Sequence, residues 1–249
     1  MKRIISISLI FLFTGCGSVH YYWPTMQNVP LFKEKNEIKT SFGYSDYGEL
    51  NDFGYLGGRC VDAAYSITDH IACQFVSGSK NNKVNSRDAY AEVIELSAGY
   101  YLRYREHLAF ETFGGYSYGM VLGDDEFNKT KANFNRIFIQ PSIGFASDYL
   151  DIAFTPRFAK VDYTIKENTV YHLSPQNDII INMDKHSYYF FEPGITIRFG
   201  FKYVKFQYQY VAVQKLNKEE LMFASSVNSI SIQFTMPVKK KHTLSRRHR

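Results

Sequence analysis

Residues 134–146 read FNRIFIQPSIGFA, and this stretch decides the fold. Its odd positions Ile137, Ile139, Pro141, Ile143 and Phe145 are apolar, while Arg136, Gln140, Ser142 and Gly144 fall between them. A period of two over that length describes a long strand with one greasy and one polar face. Residues 188–200 repeat the pattern, with Phe191, Pro193, Ile195, Ile197 and Phe199 against Glu192, Gly194, Thr196 and Arg198. Residues 204–212 and 229–236 repeat it again.

Working outward, the same alternation predicts about ten strands: 37–44, 53–66, 71–79, 89–103, 108–122, 132–147, 150–162, 188–200, 204–214 and 225–236. Most reach the roughly nine to eleven residues that a tilted strand needs to cross a bilayer. Tight turns at Thr68-Asp69, 104–107, 147–149 and Phe201-Lys202 alternate with long polar connections at 45–52, 80–88, 123–131, 163–187 and 215–224. Short turns at one end and long loops at the other are the layout of an outer-membrane barrel. The expected fold is therefore all-β: a closed, antiparallel, up-and-down transmembrane barrel of about ten strands, with eight as the alternative. A soluble sandwich or lipocalin-like barrel also alternates, but its interior holds one packed layer, too little room for bulky apolar side chains on nearly every strand. Tyr44, Tyr100, Tyr116, Tyr118, Tyr208 and Tyr210 on the apolar side suit an interfacial belt.

With the apolar set outward, the inward set is Glu37, Glu95, Glu111, Asp151 and Glu192 against Lys39, Arg103, Arg136, Arg157, Arg198 and Lys205. Charges in a narrow lumen must neutralise one another to offset their desolvation, which predicts a lumen charge network. Arg198 and Lys205 are expected to face each other, with Glu95 or Glu111 between them. Pro141 and Pro156 are expected opposite one another at a shared bulge, because proline donates no ladder hydrogen bond.

The chain has 249 residues with a net charge of +5, but Lys2, Arg3 and six Lys/Arg of the last eleven residues account for it. The 29 basic residues less these eight leave 21 against 24 acidic, so the body carries about −3 and presents no nucleic-acid face. The start, Lys2-Arg3, an apolar run from Ile4 to Phe13 and Thr14-Gly15-Cys16, describes a secretory signal rather than a membrane helix. Phe13-Thr14-Gly15-Cys16 resembles the lipobox of bacterial lipoproteins, which implies a diacylglycerol and an N-acyl chain, palmitate among them, on Cys16 and no other cofactor. Domain bounds follow: a signal peptide at 1–15, a lipidated aromatic and Pro-rich tether at 16–36 packed at the periplasmic mouth, the barrel at 37–236, and a basic periplasmic tail at 237–249. Cys60 and Cys73 are expected to share a face four positions out of register, too far for a disulfide. No zinc motif is present.

The alternating strands, the turn and loop layout and the Glu/Arg-lined interior resemble the OmpA-type and OmpX-type outer-membrane barrels of Gram-negative bacteria, here with a lipoprotein signal. The resemblance implies an outer-membrane location with both termini periplasmic. It implies as partners the outer-membrane lipid and the barrel-assembly and lipoprotein-processing machinery, and a structural or surface-interaction role. Ile232, Phe234 and Met236 precede Pro237 and the tail, which would make the assembly signal internal. Two other functions are weighed against this one. A narrow small-solute channel would use the inward charges. A rim hydrolase similar to omptins would use His172, Asp178, Asp184 and His186, although no fixed spacing ties these four, and no nucleophile, phosphate or dinucleotide motif occurs.

Overall fold

The computed structural model describes residues 20–46, 57–84, 87–124, 127–172 and 176–238. Its strands are β1 (Glu37–Asp46), β2 (Gly57–Ser66), β3 (Ile71–Val84), β4 (Arg87–Tyr104), β5 (Leu108–Asp124), β6 (Asn128–Ala146), β7 (Leu150–Val170), β8 (Ser187–Gly200), β9 (Val204–Ala212), β10 (Gln214–Lys215) and β11 (Ser226–Pro237). Each of β1 to β8 pairs antiparallel with the next, β8 pairs with β9, β9 with β11, and β11 with β1. That circuit closes a ten-stranded up-and-down barrel, with the two-residue β10 attached to β8 outside it. Closure leaves the ten strands without a free edge in the shared part of the wall.

Outward side chains form a broad apolar band. Ile94, Leu96, Ile137, Ile139, Ile152, Phe154, Ile195, Ile197, Phe206 and Ile230 all lie on it and are exposed. Exposed aromatic rings flank the band. Tyr44, Tyr116, Tyr118, Tyr189, Tyr208 and Tyr210 lie towards the loops, and Tyr100, Tyr104, Tyr149, Phe199, Phe201 and Tyr203 towards the turns.

Strands β3, β6 and β7 run well past their predicted ends, β7 to 21 residues, so the expected loops 80–88 and 123–131 are largely sheet. The physical reason is an exchange of apolar and polar faces along one strand. On β7 the outward residues Leu150, Ile152, Phe154, Pro156 and Phe158 give way to Lys160, Asp162, Thr164 and Lys166. The inward residues change in the opposite sense, from Asp151, Thr155 and Arg157 to Ala159, Val161 and Tyr163. β6 makes the same exchange, with Lys129, Lys131, Asn133 and Asn135 outward beside inward Ala132 and Phe134. Beyond the band the wall is an ordinary solvated sheet over an apolar core.

Two expected registers are corrected. Tyr65 pairs with Cys73 and Cys60 with Gly78, one residue away from the predicted hairpin. The Thr68 hydroxyl accepts hydrogen bonds from the His70 and Ile71 amides (3.2 and 2.9 Å), which builds a longer turn. A one-residue slip reverses a face, so Cys60 points inward and is buried while Cys73 points outward, both as free thiols. At the fourth turn Phe201 N donates to Val204 O (2.8 Å), which sets Arg198 opposite Gln207 and Lys205 opposite Gly200. The acid between these two cations is then Asp151 rather than Glu95 or Glu111.

Pro141 and Pro156 do lie in line, but without the expected bulge. The β6–β7 ladder stops after Ile139↔Phe158 and resumes at Ile143↔Phe154 in unchanged register, and the irregularity sits at Lys131/Ala132 instead. Two inward bonds bridge the gap: Arg157 Nε to Gln140 Oε1 (2.9 Å) and Thr155 Oγ1 to Ser142 Oγ (3.1 Å).

Candidate functional site: a filled lumen

The interior is occupied by the chain's own residues 20–36. This segment does not pack at one mouth as the tether was expected to; it runs the length of the barrel. At the loop end the Tyr21 and Tyr22 amides both donate to Met222 O (2.8 and 3.3 Å), and Tyr22 pairs in parallel with Phe223. At the turn end the Lys33 amide donates to Glu37 Oε2 (2.8 Å) and Lys33 Nζ reaches Asp148 Oδ1 (2.6 Å). Thirteen residues from Tyr21 to Lys33 span up to about 40 Å when extended. Tyr21, Tyr22, Met26, Val29, Leu31 and Phe32 are each at most 1% exposed.

An extended segment has no ladder of its own, and its buried backbone groups need partners. Wall side chains supply them. Gln209 accepts from Gln27 N (2.7 Å) and donates to Gln27 O (2.8 Å). Gln140 Nε2 donates to Asn28 O (2.7 Å), Arg198 to Val29 O (2.6 Å) and Lys39 Nζ to Leu31 O (3.0 Å), while Glu111 accepts from Phe32 N (3.0 Å). Gly194 and Gly144 make room: a Cβ at either would collide with Gln27 or Leu31 of the segment.

The eleven inward ions predicted from alternation all line the lumen wall, and all but the half-buried Arg103 are buried. They form two groups. In the middle, Glu95 binds Arg136 (2.6 Å) and Arg157 (3.3 Å), and Arg157 stands 3.9 Å from Glu192. Tyr22 donates to Glu192, and Thr25 Oγ1 accepts from both Arg136 and Arg157 (2.8 Å each), so two residues of the segment key into this quartet. Ser117 and Gln140 complete it. Towards the turns, Asp151 binds Lys205 (2.6 Å) and lies 3.8 Å from Arg198, and Lys39 lies 3.6 Å from Glu37. Arg103 donates to the backbone oxygens of Ala146 and Glu106. The Lys33 ammonium holds the exposed Asp148 carboxyl below the ordinary aspartate range.

Sequence reasoning missed one further buried ion of each sign, Asp62 opposite Ser41 on β2 and Lys80 over the Trp23 ring. Asp62 alternates with Cys60 and Ala64, and its opposite face also mixes polar with apolar residues, so β2 offers no contrast to read.

Above the ions the lumen is closed by an apolar cluster of Tyr21, Tyr22, Phe134, Tyr163, Tyr188 and Phe190, with Ile180 and Met183 folded in from the 171–186 connection. Tyr22 stacks on Phe190 (3.9 Å, 4°). His20 meets Trp23 edge-on (5.1 Å), and burial followed by the Lys80 charge lowers its pKa to about 4.

The four rim residues considered for hydrolysis form no metal-holding group among the described residues. Asp178 lies on the short helix α1 (Gln176–Ile181) and Asp184 on the following 3-10 turn. His172 O accepts from Asn177, and the half-exposed His186 lies 3.9 Å from Glu219. His70 stacks on Tyr100 and His107 packs against Phe145 at the turn end. Cys16 and residues 239–249 lie outside the described residues, so the lipidation site and most of the basic tail do too.

Neither a protein-family model nor a curated protein matches the chain. Among solved structures it is similar to the translocator domain of the autotransporter NalP from Neisseria meningitidis, at 10% identity over 81% of this chain and 87% of that one, with a TM-score of 0.39.

Proposed function

We propose that this chain is an outer-membrane barrel, lipid-anchored through Cys16 and sealed by its own N-terminal segment. Its role is envelope-structural or surface-interacting rather than catalytic. The observation that carries this reading is the exchange of faces on β6 and β7. Apolar residues point outward only over the height of the band between the two aromatic rings, and inward above it. A soluble barrel would keep its apolar face inward throughout, whereas hydrocarbon around one height and water around the next produces this reversal.

The filled lumen favours a seal over a channel. Glu95, Arg136, Arg157 and Glu192 are each at most 2% exposed, so they border no water path. The test is fractionation together with gel migration of unheated and heated samples and conductance in planar bilayers. We expect recovery in the outer-membrane fraction, heat-modifiable migration and electrically silent bilayers. A protein soluble without detergent contradicts the membrane assignment, and discrete conductance steps contradict the seal. Cys16→Ala should abolish acyl labelling, and label that persists removes the anchor.

A further inference from the structure

The lumen segment has a direction. Its first described residues bond to Met222 beside the long connections, and its last bond to Glu37 and Asp148 beside the short turns, where Val238 also lies, donating to Asn36 O (2.7 Å). The described chain therefore starts and stops at opposite ends of the barrel. Three residues separate Cys16 from His20, four steps with a reach of about 14 Å at most. The path from Tyr21 to Lys33 at the turn end takes thirteen residues, or twelve such steps. A span of four steps from the loop end falls short of the turn end.

We propose that residues 20–36 are a thread that carries the N-terminus outward through the barrel. The acylated Cys16 is then held at the loop face, within reach of the leaflet opposite the C-terminal tail. This rests on the membrane reading above, in which short turns face the periplasm and long connections face outside. The thread is fixed rather than incidental, because Gln209, Gln140 and Arg198 bond four of its backbone groups, at Gln27, Asn28 and Val29, while Tyr22 and Thr25 occupy the central ion quartet.

Two full-length tagged chains test it: one with a peptide epitope between Cys16 and His20, one with the epitope after Arg249. A third epitope in the 216–225 connection reports the barrel itself. On intact cells we expect antibody to reach the first and third, and the second only after permeabilisation. If the third is reached and the first is not, the thread is overturned while the barrel stands. If the third is also hidden, or the chain is not in the membrane, both readings fall. A second measurement needs no tag. Cys60 Sγ lies 3.7 Å from Met26 Sδ, so Met26→Cys combined with Cys73→Ser should form a disulfide with Cys60 under mild oxidation, seen as a reducible gel shift. Folded protein that never crosslinks would place the segment elsewhere.

Discussion

The lower and upper halves of β7 are one continuous strand, yet they obey opposite rules. From Leu150 to Phe158 the outside is apolar and the inside carries Asp151, Thr155 and Arg157; from Lys160 to Lys166 the outside is polar and the inside carries Val161 and Tyr163. Nothing in the backbone changes at this point. On the reading proposed above, what changes is the medium outside, so that alternation reports a two-sided environment and its sign names the solvent on each side. In the lower half the interior must satisfy ions, and it does so with paired charges and a threaded segment. In the upper half it chiefly fills volume with aromatic rings, with Lys80, Asn128 and Thr130 as buried polar residues among them.

The contrast can be broken most severely at the central quartet. Glu95→Ala leaves Arg136 and Arg157 buried without their shared carboxylate and should cost about 3–5 kcal/mol, read as loss of the folded, heat-modifiable form. Unchanged folding would mean that the ionic half is not sealed. Next in size, Phe154→Arg on the lower outer face should cost about 2–4 kcal/mol in lipid. Thr164→Arg, ten positions up the same face, should stay within about 0.5 kcal/mol. Equal costs in urea unfolding from vesicles would erase the distinction between the halves.

A smaller effect concerns the loop end. His20 is held neutral down to about pH 4, below its ordinary 6.5. The unfolded chain therefore takes up the proton first as pH falls, so the stability contributed here is complete above about 6.5 and declines towards 4. Amide exchange near Trp23 should quicken across that window, and His20→Gln should flatten the dependence. Smallest of all, Asp148→Asn removes only an exposed contact with Lys33 and should leave the unfolding midpoint unmoved.

Much of this was legible in the sequence, because alternation over thirteen residues such as 134–146 is a strong signal and all the inward ions but Asp62 and Lys80 follow from it. Strand ends were not, since the exchange of faces near Phe158 looks like the start of a polar loop. The Thr68 turn escaped because a single hydroxyl adds the residue that turns Cys73 outward. The thread escaped for another reason: an extended, Pro-containing segment has no period, and its partners come from strands far away in sequence. Its trace was the set of inward glutamines at 140, 207 and 209, more amides than the wall's own ions require.

The central claim is that hydrocarbon surrounds the lower half of β7 and water the upper. Single cysteines at Ile152, Phe154 and Phe158, and at Asp162, Thr164 and Lys166, in a chain lacking the native thiols, can carry an environment-sensitive fluorophore in lipid vesicles. The account predicts that lipid-borne quenchers reach the first three and aqueous iodide reaches the last three. Iodide quenching all six alike would contradict it.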